Sequence, residues 1–593
     1  MEKMKYVLDE YPRPQFARES WDNLNGTWNF SFDDKNEGET KKWYENTIFP
    51  RKINVPYVYE SLASGINDKT YHENVWYQRE YLINSEYDKK RVILNSQGAD
   101  YITKLWINGI YVGLHKGSSN KFKFDITDHV RFGEVNIIVI KCEDSKSTCQ
   151  PRGKQRWHDE SYGCWYVQST GIWKTIWMEY LDNINLEKVK ITPNIDEATV
   201  SFEYTINNFK KNNEIWLVTQ ISFRGTLIRE VSTKPDRSYF TLITDITNDT
   251  LNDGVHLKFM VWDIENPNLY DVKFKLYAGK ELLDEVNSYF GMRKISINNG
   301  KVLLNNQEIY QKLILDQGYW PDTLLTPPSD NAILEDIDKT LAMGFNGVRK
   351  HMKVEDERYL YWCDKKGVLV WSEFPATYEY NDESINNFIP EWLEVVQQNY
   401  NHPSIVTWVP INESWGVPNI LVDKKQQHFT QALYYLTKAI DKTRPVVVND
   451  GWEHTISDIL TIHDYEELGS VFAKKYADKD GIVSDKVLNS NKRSNFAHGY
   501  SYNDQPIIIS EYGGIAFKND EGWGYGNQVK NEEEFLARYM SITDEIKRLG
   551  YACGYCYTQI TDVQQEVNGL LNEDRSAKIN LPKIKIINDN ILT

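Results

Sequence analysis

Two β-sandwiches followed by a (β/α)8 TIM barrel is the fold this sequence predicts, and three observations predict it. Up to about residue 180, short runs alternate apolar and polar residues between turn signals, the two-residue period of half-buried strands. From 181 to about 292 such runs continue but are fewer and more widely spaced. From 293 onward, strand-like runs alternate with stretches of helical period, as βα units around a parallel sheet require.

The first module (1–180) is read as a jelly-roll sandwich. "VWYQREYLI" (75–83), "RVILNSQG" (91–98), "YITKLWING" (101–109) and "VNIIVIKCE" (135–143) are its clearest strands, punctuated by "ING" and "RFGE". The second module (181–292), with "ATVSFEYTI", "EIWLVTQISF", "HLKFMVWDI" and "DVKFKLYAG", has the size of an immunoglobulin-like sandwich. The third (293–593) offers eight strands: 309–316, 344–351, 367–374, 404–413, 445–450, 459–465, 505–513 and 551–559. Between them lie helical stretches such as "SDNAILEDIDKTLAMG" (329–344), with Ser329 as cap and Gly344 as stop. Eight strands in about 300 residues is the count of a (β/α)8 barrel.

Composition narrows the function. The chain is 593 residues long, 41% hydrophobic and 26% charged, the profile of an ordinary globular protein. Its net charge of −17 argues against nucleic acid or an anionic membrane as partner. No stretch approaches 18 apolar residues, and the start "MEKMKYVLDEYPRPQF" has no apolar core of a secretory signal, so a cytoplasmic location is expected. Six cysteines make no disulfide framework, and Cys553 and Cys556 have no second pair near them to complete a metal knuckle. There is no HExxH, Walker loop or GxGxxG in a βαβ context. No metal and no cofactor are expected.

The chemistry is expected at the C-terminal ends of the barrel strands. Glu413 ends the fourth strand in "TWVPINESWG", and Glu511 ends the seventh in "IIISEYGG". Those strand ends face each other across the mouth, and two converging carboxylates are what glycoside hydrolysis needs: one a proton donor, the other an ionised nucleophile or base. A lone Glu at a strand end is more often a cap than a catalyst; two at these positions favour catalysis. Other strand-end groups are candidates for the sugar: Asp316, Arg349, His351, His463, Tyr465 and Tyr557, with Trp415 and Trp523 as stacking faces. Glu373, Asn449, Asp450 and Gln559 also end strands.

"NHPSIVTWVPINES" (401–414) resembles the acid/base segment of glycoside hydrolase family 2, the β-galactosidase, β-glucuronidase and β-mannosidase family. The resemblance covers nearly the whole chain, through "LWINGIYVGLHKGSSNKFKFDIT" (105–127), "STGIWKTIWMEY" (169–180), "SYFGMRKI" (288–295) and "GFNGVRKHMKVEDERYLYWCDKKGVLVWSEFP" (344–375). It implies Glu413 as acid/base, Glu511 as nucleophile and Asn412 as the holder of the sugar 2-hydroxyl. It implies Arg349 as support for the nucleophile and Tyr465 as its strand-six contact.

Departures from the family pattern bear on substrate. The usual Trp on strand eight is replaced, with Tyr557 the nearest aromatic. The Asn-x-Lys pair that holds a uronic acid is missing, since Asn568 is followed by Gly569 and Leu570. The expected activity is therefore a retaining exo-glycosidase on an oligosaccharide or small glycoside, foremost a β-D-galactoside. A furanoside or a β-glucuronide is the alternative glycone, and a non-catalytic carbohydrate-binding protein the alternative class. The pocket is expected to be completed by the insertion "GWGYGN" (522–527) or by another subunit of a homo-oligomer.

Overall fold

The computed structural model describes residues 6–211, 214–249, 251, 258–518 and 521–590. The first sandwich packs an antiparallel six-stranded sheet on a four-stranded one. Its expected strands are all present, at Asn74–Leu82, Arg91–Ser96, Ile102–Ile107 and Val135–Glu143. Inward residues such as Trp28, Val75, Tyr77, Leu105, Ile138 and Ile140 fill the space between the sheets.

The second sandwich pairs a three-stranded sheet with a four-stranded one. Strand Thr199–Asn207 buries every second residue (Val200, Phe202, Tyr204, Ile206), so its period-two pattern is a packing instruction. One expected strand fails. Of "HLKFMVWDI", residues 256 and 257 lie outside the described residues, and from 258 the chain is irregular, Trp262 pairing only with Pro267 in an isolated bridge. Trp262 instead turns its ring to the barrel, where its indole N–H donates to the Asp364 carbonyl at 2.7 Å. Burial of that ring outweighs the local strand propensity.

The barrel strands are β1 (Gln311–Asp316), β2 (Gly347–Lys350), β3 (Leu369–Glu373), β4 (Ile405–Val409), β5 (Asn449–Asp450), β6 (Leu460–His463), β7 (Ile507–Gly513) and β8 (Ala552–Thr558). Seven run parallel in the order β4-β3-β2-β1-β8-β7-β6. β5 pairs with Ile411–Asn412, the continuation of β4 beyond Pro410. A proline cannot donate to a ladder, so β4 leaves β3 at Val409 and its continuation turns to β5. Helix α1 (Asp330–Ala342) follows β1. Ser329 caps the Ala332 N–H at 3.2 Å, Ile333, Asp336, Ile337 and Thr340 are buried, and Gly344 at φ +82° follows its end. Among the described residues no helix is long and apolar enough to cross a membrane.

Candidate active site

The turn after β4 is strained. Glu413 and Ser414 both take left-handed φ angles, +53° and +59°, which cost a non-glycine residue about 1–3 kcal/mol each. Hydrogen bonds hold them there. Glu413 N–H donates to the Asp450 carbonyl at 2.9 Å, Ser414 N–H to Asn449 Oδ1 at 2.8 Å, and the Ser414 hydroxyl to Glu453 at 2.8 Å. The Glu413 side chain thereby faces the barrel mouth.

Opposite, Glu511 is held from two sides. Arg349 Nη1 lies 3.1 Å from Glu511 Oε1, and the Tyr465 hydroxyl donates to Oε2 at 2.5 Å. Arg349 is fully buried and also meets Glu373 through Nε at 2.7 Å, Asp450 at 2.9 Å and Asn412 Oδ1 at 3.1 Å. Burial alone would lower its pKa, but Asp450, Glu373 and Glu511 hold it well above the usual guanidinium value. The fork geometry suits Arg and would not survive replacement by Lys.

His463, from the end of β6, stands between the two carboxylates. Its Nδ1 is 2.8 Å from Glu413 Oε1 and 3.3 Å from Glu511 Oε2, and its Nε2 is 3.3 Å from Asp450. Burial opposes the charged ring, but Glu511 and Asp450, with the hydrogen bonds to Asp450 and Glu413, push its pKa up to about 10. Burial alone would raise Glu413, yet the bond to His463 and its charge, with Lys154 and His351, leave it below the usual carboxylate value. Among the described residues, Glu413, His463 and Glu511 are the set whose ligand atoms, all within 4.8 Å of one another, could hold a metal. With the ring protonated, a proton occupies the position a cation would take.

The other expected residues divide. Asn412 accepts from Arg349, while its Nδ2 is buried without a hydrogen-bond partner in the protein. His351 bonds Glu373 at 2.8 Å and lines a small cavity with Lys154, Gln317 and Tyr319. Asp316 is committed to Lys350 at 2.6 Å and to the Gly318 N–H at 2.7 Å, beneath the pocket. Trp415 is half-buried at the rim. Trp523 donates its indole N–H to the Gly163 carbonyl at 2.8 Å. Next to it Tyr525, from the same insertion, stacks on Tyr465 with ring centroids 3.4 Å apart.

Tyr557 is not in the pocket. Strand side chains alternate, and on β8 Cys556 takes the inward position, where Arg349, Glu511 and Asp450 are the charges that act on it. Tyr557 therefore points outward, packing against Tyr512 and Tyr539 at 5.4 and 4.9 Å. Cys553 and Cys556 are both free and buried.

Three groups escaped the sequence reading. Lys154 is carried to the barrel mouth by a segment of the first sandwich. Glu566 follows β8, bonded to the Tyr166 hydroxyl and to Asn568 Nδ2 at 3.1 Å. Gln317 ties Tyr166 to Gln559, both at 2.8 Å. Lys154 lies more than 250 positions before Glu413 and Glu566, so no local motif announces it. A separate cleft between the sandwiches and the barrel, lined by Arg13, His115, Lys121, Lys123 and Glu357, contains none of these groups.

The family models for glycosyl hydrolases family 2 match residues 21–162 (sugar binding domain), 184–293 and 295–591 (TIM barrel domain). A β-galactosidase of Thermoanaerobacter pseudethanolicus is 24% identical over 75% of this chain and 56% of its own length. A mouse β-glucuronidase is 24% identical over 90% of this chain and 83% of its own. The chain spans about half the length of the first curated relatives it matches, 47–56%. The solved β-glucuronidase of Ruminococcus gnavus in complex with uronic isofagomine superposes with a TM-score of 0.80 at 16% identity, covering 98% of this chain and 100% of that one. That likeness establishes the shared fold. The chain belongs to glycosyl hydrolases family 2.

Proposed function

We propose that the protein is a retaining exo-glycoside hydrolase that removes a terminal β-linked sugar, foremost a β-D-galactoside. The observation that carries this reading is the unequal setting of the two carboxylates. Glu511, its side chain 5% exposed, is pinned in one orientation by Arg349 and Tyr465, as suits a nucleophile that must meet the anomeric carbon in a fixed direction. Glu413, 19% exposed, meets a proton-bearing ring and opens to the rim, as suits a group that gives a proton to the leaving oxygen and takes one back from water. Ligand oxygens of the pair lie within 4.8 Å of each other. Retaining enzymes hold their carboxyls about 5–5.5 Å apart, whereas inverting ones leave roughly 6.5–9.5 Å for a water.

The surroundings of the pocket support this choice of glycone. Asn568 is engaged by Gln559 Nε2 at 2.8 Å and donates to Glu566. Lys350, the cation nearest in sequence to Arg349, is spent on Asp316 and Glu355 at 2.6 and 2.7 Å. Glu566, bonded to the Tyr166 hydroxyl and to Asn568, places an acidic side chain rather than a cation beside Asn568, which disfavours a uronic acid. A β-glucuronide is the second reading, favoured by Lys154. Burial alone would lower its pKa, but Cys164, Glu566, Tyr378 and Glu413 raise it, so it is a cation near the pocket. Relatives named for both activities accord with either glycone. A panel of nitrophenyl β-glycosides tests the proposal: the galactopyranoside should be turned over fastest. Absence of turnover on every member would favour a binding protein, and preference for the uronide or a furanoside would replace the glycone.

A further inference from the structure

Where the two sandwiches meet the barrel lies a cleft of about 480 Å³, apart from the catalytic groups. All three modules contribute to its wall. Arg13 and Gln15 come from the segment that leads into the first sandwich, and Lys121 from that sandwich itself. Lys188 stands on the strand Asn185–Asn194 of the second sandwich, and Gln397 on the barrel helix Asp382–Gln398, which follows β3.

The cleft holds donors that the protein itself leaves unpaired. Gln15 is 5% exposed, and its Nε2 has no hydrogen-bond partner in the protein; nor has the buried Nε of Arg13. A buried donor without an acceptor is costly, so an occupant that brings acceptors is favoured. The charges lean the same way. Arg13, Lys121, Lys123 and Lys188 face Glu187, Glu357 and Glu394, which leaves one positive charge in a chain whose net charge is −17. His115 adds none at neutral pH, because burial brings its pKa down to about 4. Lys121 is spent on Glu357 at 2.8 Å, Lys123 on Glu187, and Glu394 accepts from Asn120 Nδ2. Lys188 makes no ion pair among the described residues, its ammonium meeting the Gln397 amide oxygen at 3.1 Å. Arg13 has Glu179 at 3.7 Å, a carboxylate already held by Arg18 at 2.9 Å and by the Tyr11 hydroxyl at 2.7 Å. Burial lowers the pKa of Lys121 and Glu357 raises it, while Arg13 and Lys188 push it down again, so both stand near enough to repel it.

Part of the wall is apolar. Phe16 and Val189 line it together with Phe122, whose ring stacks on His115 at 4.2 Å between centroids. We propose that this cleft is a second binding site, separate from the catalytic carboxylates, for a small molecule with a carboxylate or phosphate head and an apolar body. The head takes charge-assisted hydrogen bonds from Arg13 and Lys188 and the free Gln15 donor. The body lies against Phe16 and Phe122, the mixture of apolar wall and few polar anchors that small-molecule sites have. Such a ligand touches both sandwiches and the barrel at once, so its binding fastens the modules together and stabilises the folded chain by mass action.

The probes are benzoate and phenyl phosphate, which share a ring and differ in the head, beside benzyl alcohol, which carries no charge. Each is titrated calorimetrically and in thermal unfolding against the full chain as wild type, Lys188→Gln, Lys188→Arg and Lys154→Met. Lys188 is exposed, so its variants keep the fold. At least one anion should bind the wild type at millimolar concentration and raise its Tm, the tighter of the two identifying the head. Lys188→Gln should weaken that binding roughly tenfold, the loss of one charge-assisted contact, and Lys188→Arg should preserve it. Lys154→Met, altered at the catalytic mouth, should bind as the wild type does. An affinity that follows Lys154 and not Lys188 places the anion in the catalytic pocket and overturns the proposal. Benzyl alcohol bound as tightly as the anions, or neither anion bound at millimolar concentration, overturns it as well.

Discussion

Replacing His463 by Asn removes the charge between the two carboxylates while leaving a small polar side chain. A histidine raised from its ordinary 6.5 to about 10 corresponds to about 5 kcal/mol of favourable interaction with its proton. Glu413, Glu511 and Asp450 share that energy, with Arg349 beyond Asp450. Because the folded value is the higher one, the stabilisation is complete below pH 6.5 and is lost as pH rises through about 10. His463→Asn should therefore cost about 3–5 kcal/mol near pH 6.5, the price of breaking a buried pair from one side. The wild type should lose stability between pH 6.5 and 10, and the variant should be flat across that window. Activity should change in a matching way. If Glu413 is the acid/base proposed above, the proton for the leaving group belongs in the wild type to the His463–Glu413 pair, and in the variant Glu413 must hold it alone. The alkaline limb of kcat/KM, which reports the free enzyme, should move down by at least about one pH unit. The assay is kcat/KM for nitrophenyl glycosides against pH, beside thermal unfolding at the same pH values. An alkaline limb in the same place, with an unchanged stability profile, would refute the assignment of the proton to His463.

Glu413→Ala should retain activity on substrates with good leaving groups and be rescued by azide, while Glu511→Ala should lose turnover of every substrate; equal behaviour across leaving groups would mean the roles are exchanged or wrong. Nitrophenyl β-galactopyranoside should be cleaved at least about tenfold more efficiently than the β-glucuronide, the loss of one charge-assisted contact. A better glucuronide would point to Lys154, and Lys154→Met should then abolish the preference. Tyr557→Phe removes only a hydroxyl that accepts from the Ile515 N–H at 3.3 Å, so stability should fall by about 1 kcal/mol or less and kcat/KM should stay within about threefold, measured by thermal unfolding and steady-state kinetics.

The barrel staves were legible because their side chains are buried on both faces, which leaves short β-branched runs such as "SIVTWV" between polar strand ends. That Glu413 and Glu511 would come together was legible because both end barrel strands, and the structure places them around His463. Tyr557 was misread for a related reason: without register, sequence cannot say which of Cys556 and Tyr557 faces the barrel interior. Asp316 ends its strand as expected, yet Lys350 and Lys353 come from β2 and the loop after it, and the ion pairs they make with Asp316 and Glu355 are tertiary facts. The rim was hidden most fully. From the insertion 522–527 Tyr525 reaches Tyr465, but Lys154 arrives from another module through a segment with no regular pattern.

The central claim is that Glu511 attacks the anomeric carbon while Glu413 manages the proton. It is tested most directly by incubating the protein with a 2-deoxy-2-fluoro β-galactoside bearing a good leaving group, which slows release of a glycosyl-enzyme, and locating the label by peptide mass spectrometry. The account predicts one sugar per chain, esterified to Glu511. A label on Glu413 or another carboxylate would contradict it, as would an unlabelled protein that turns the parent galactoside into a first-formed sugar of inverted configuration.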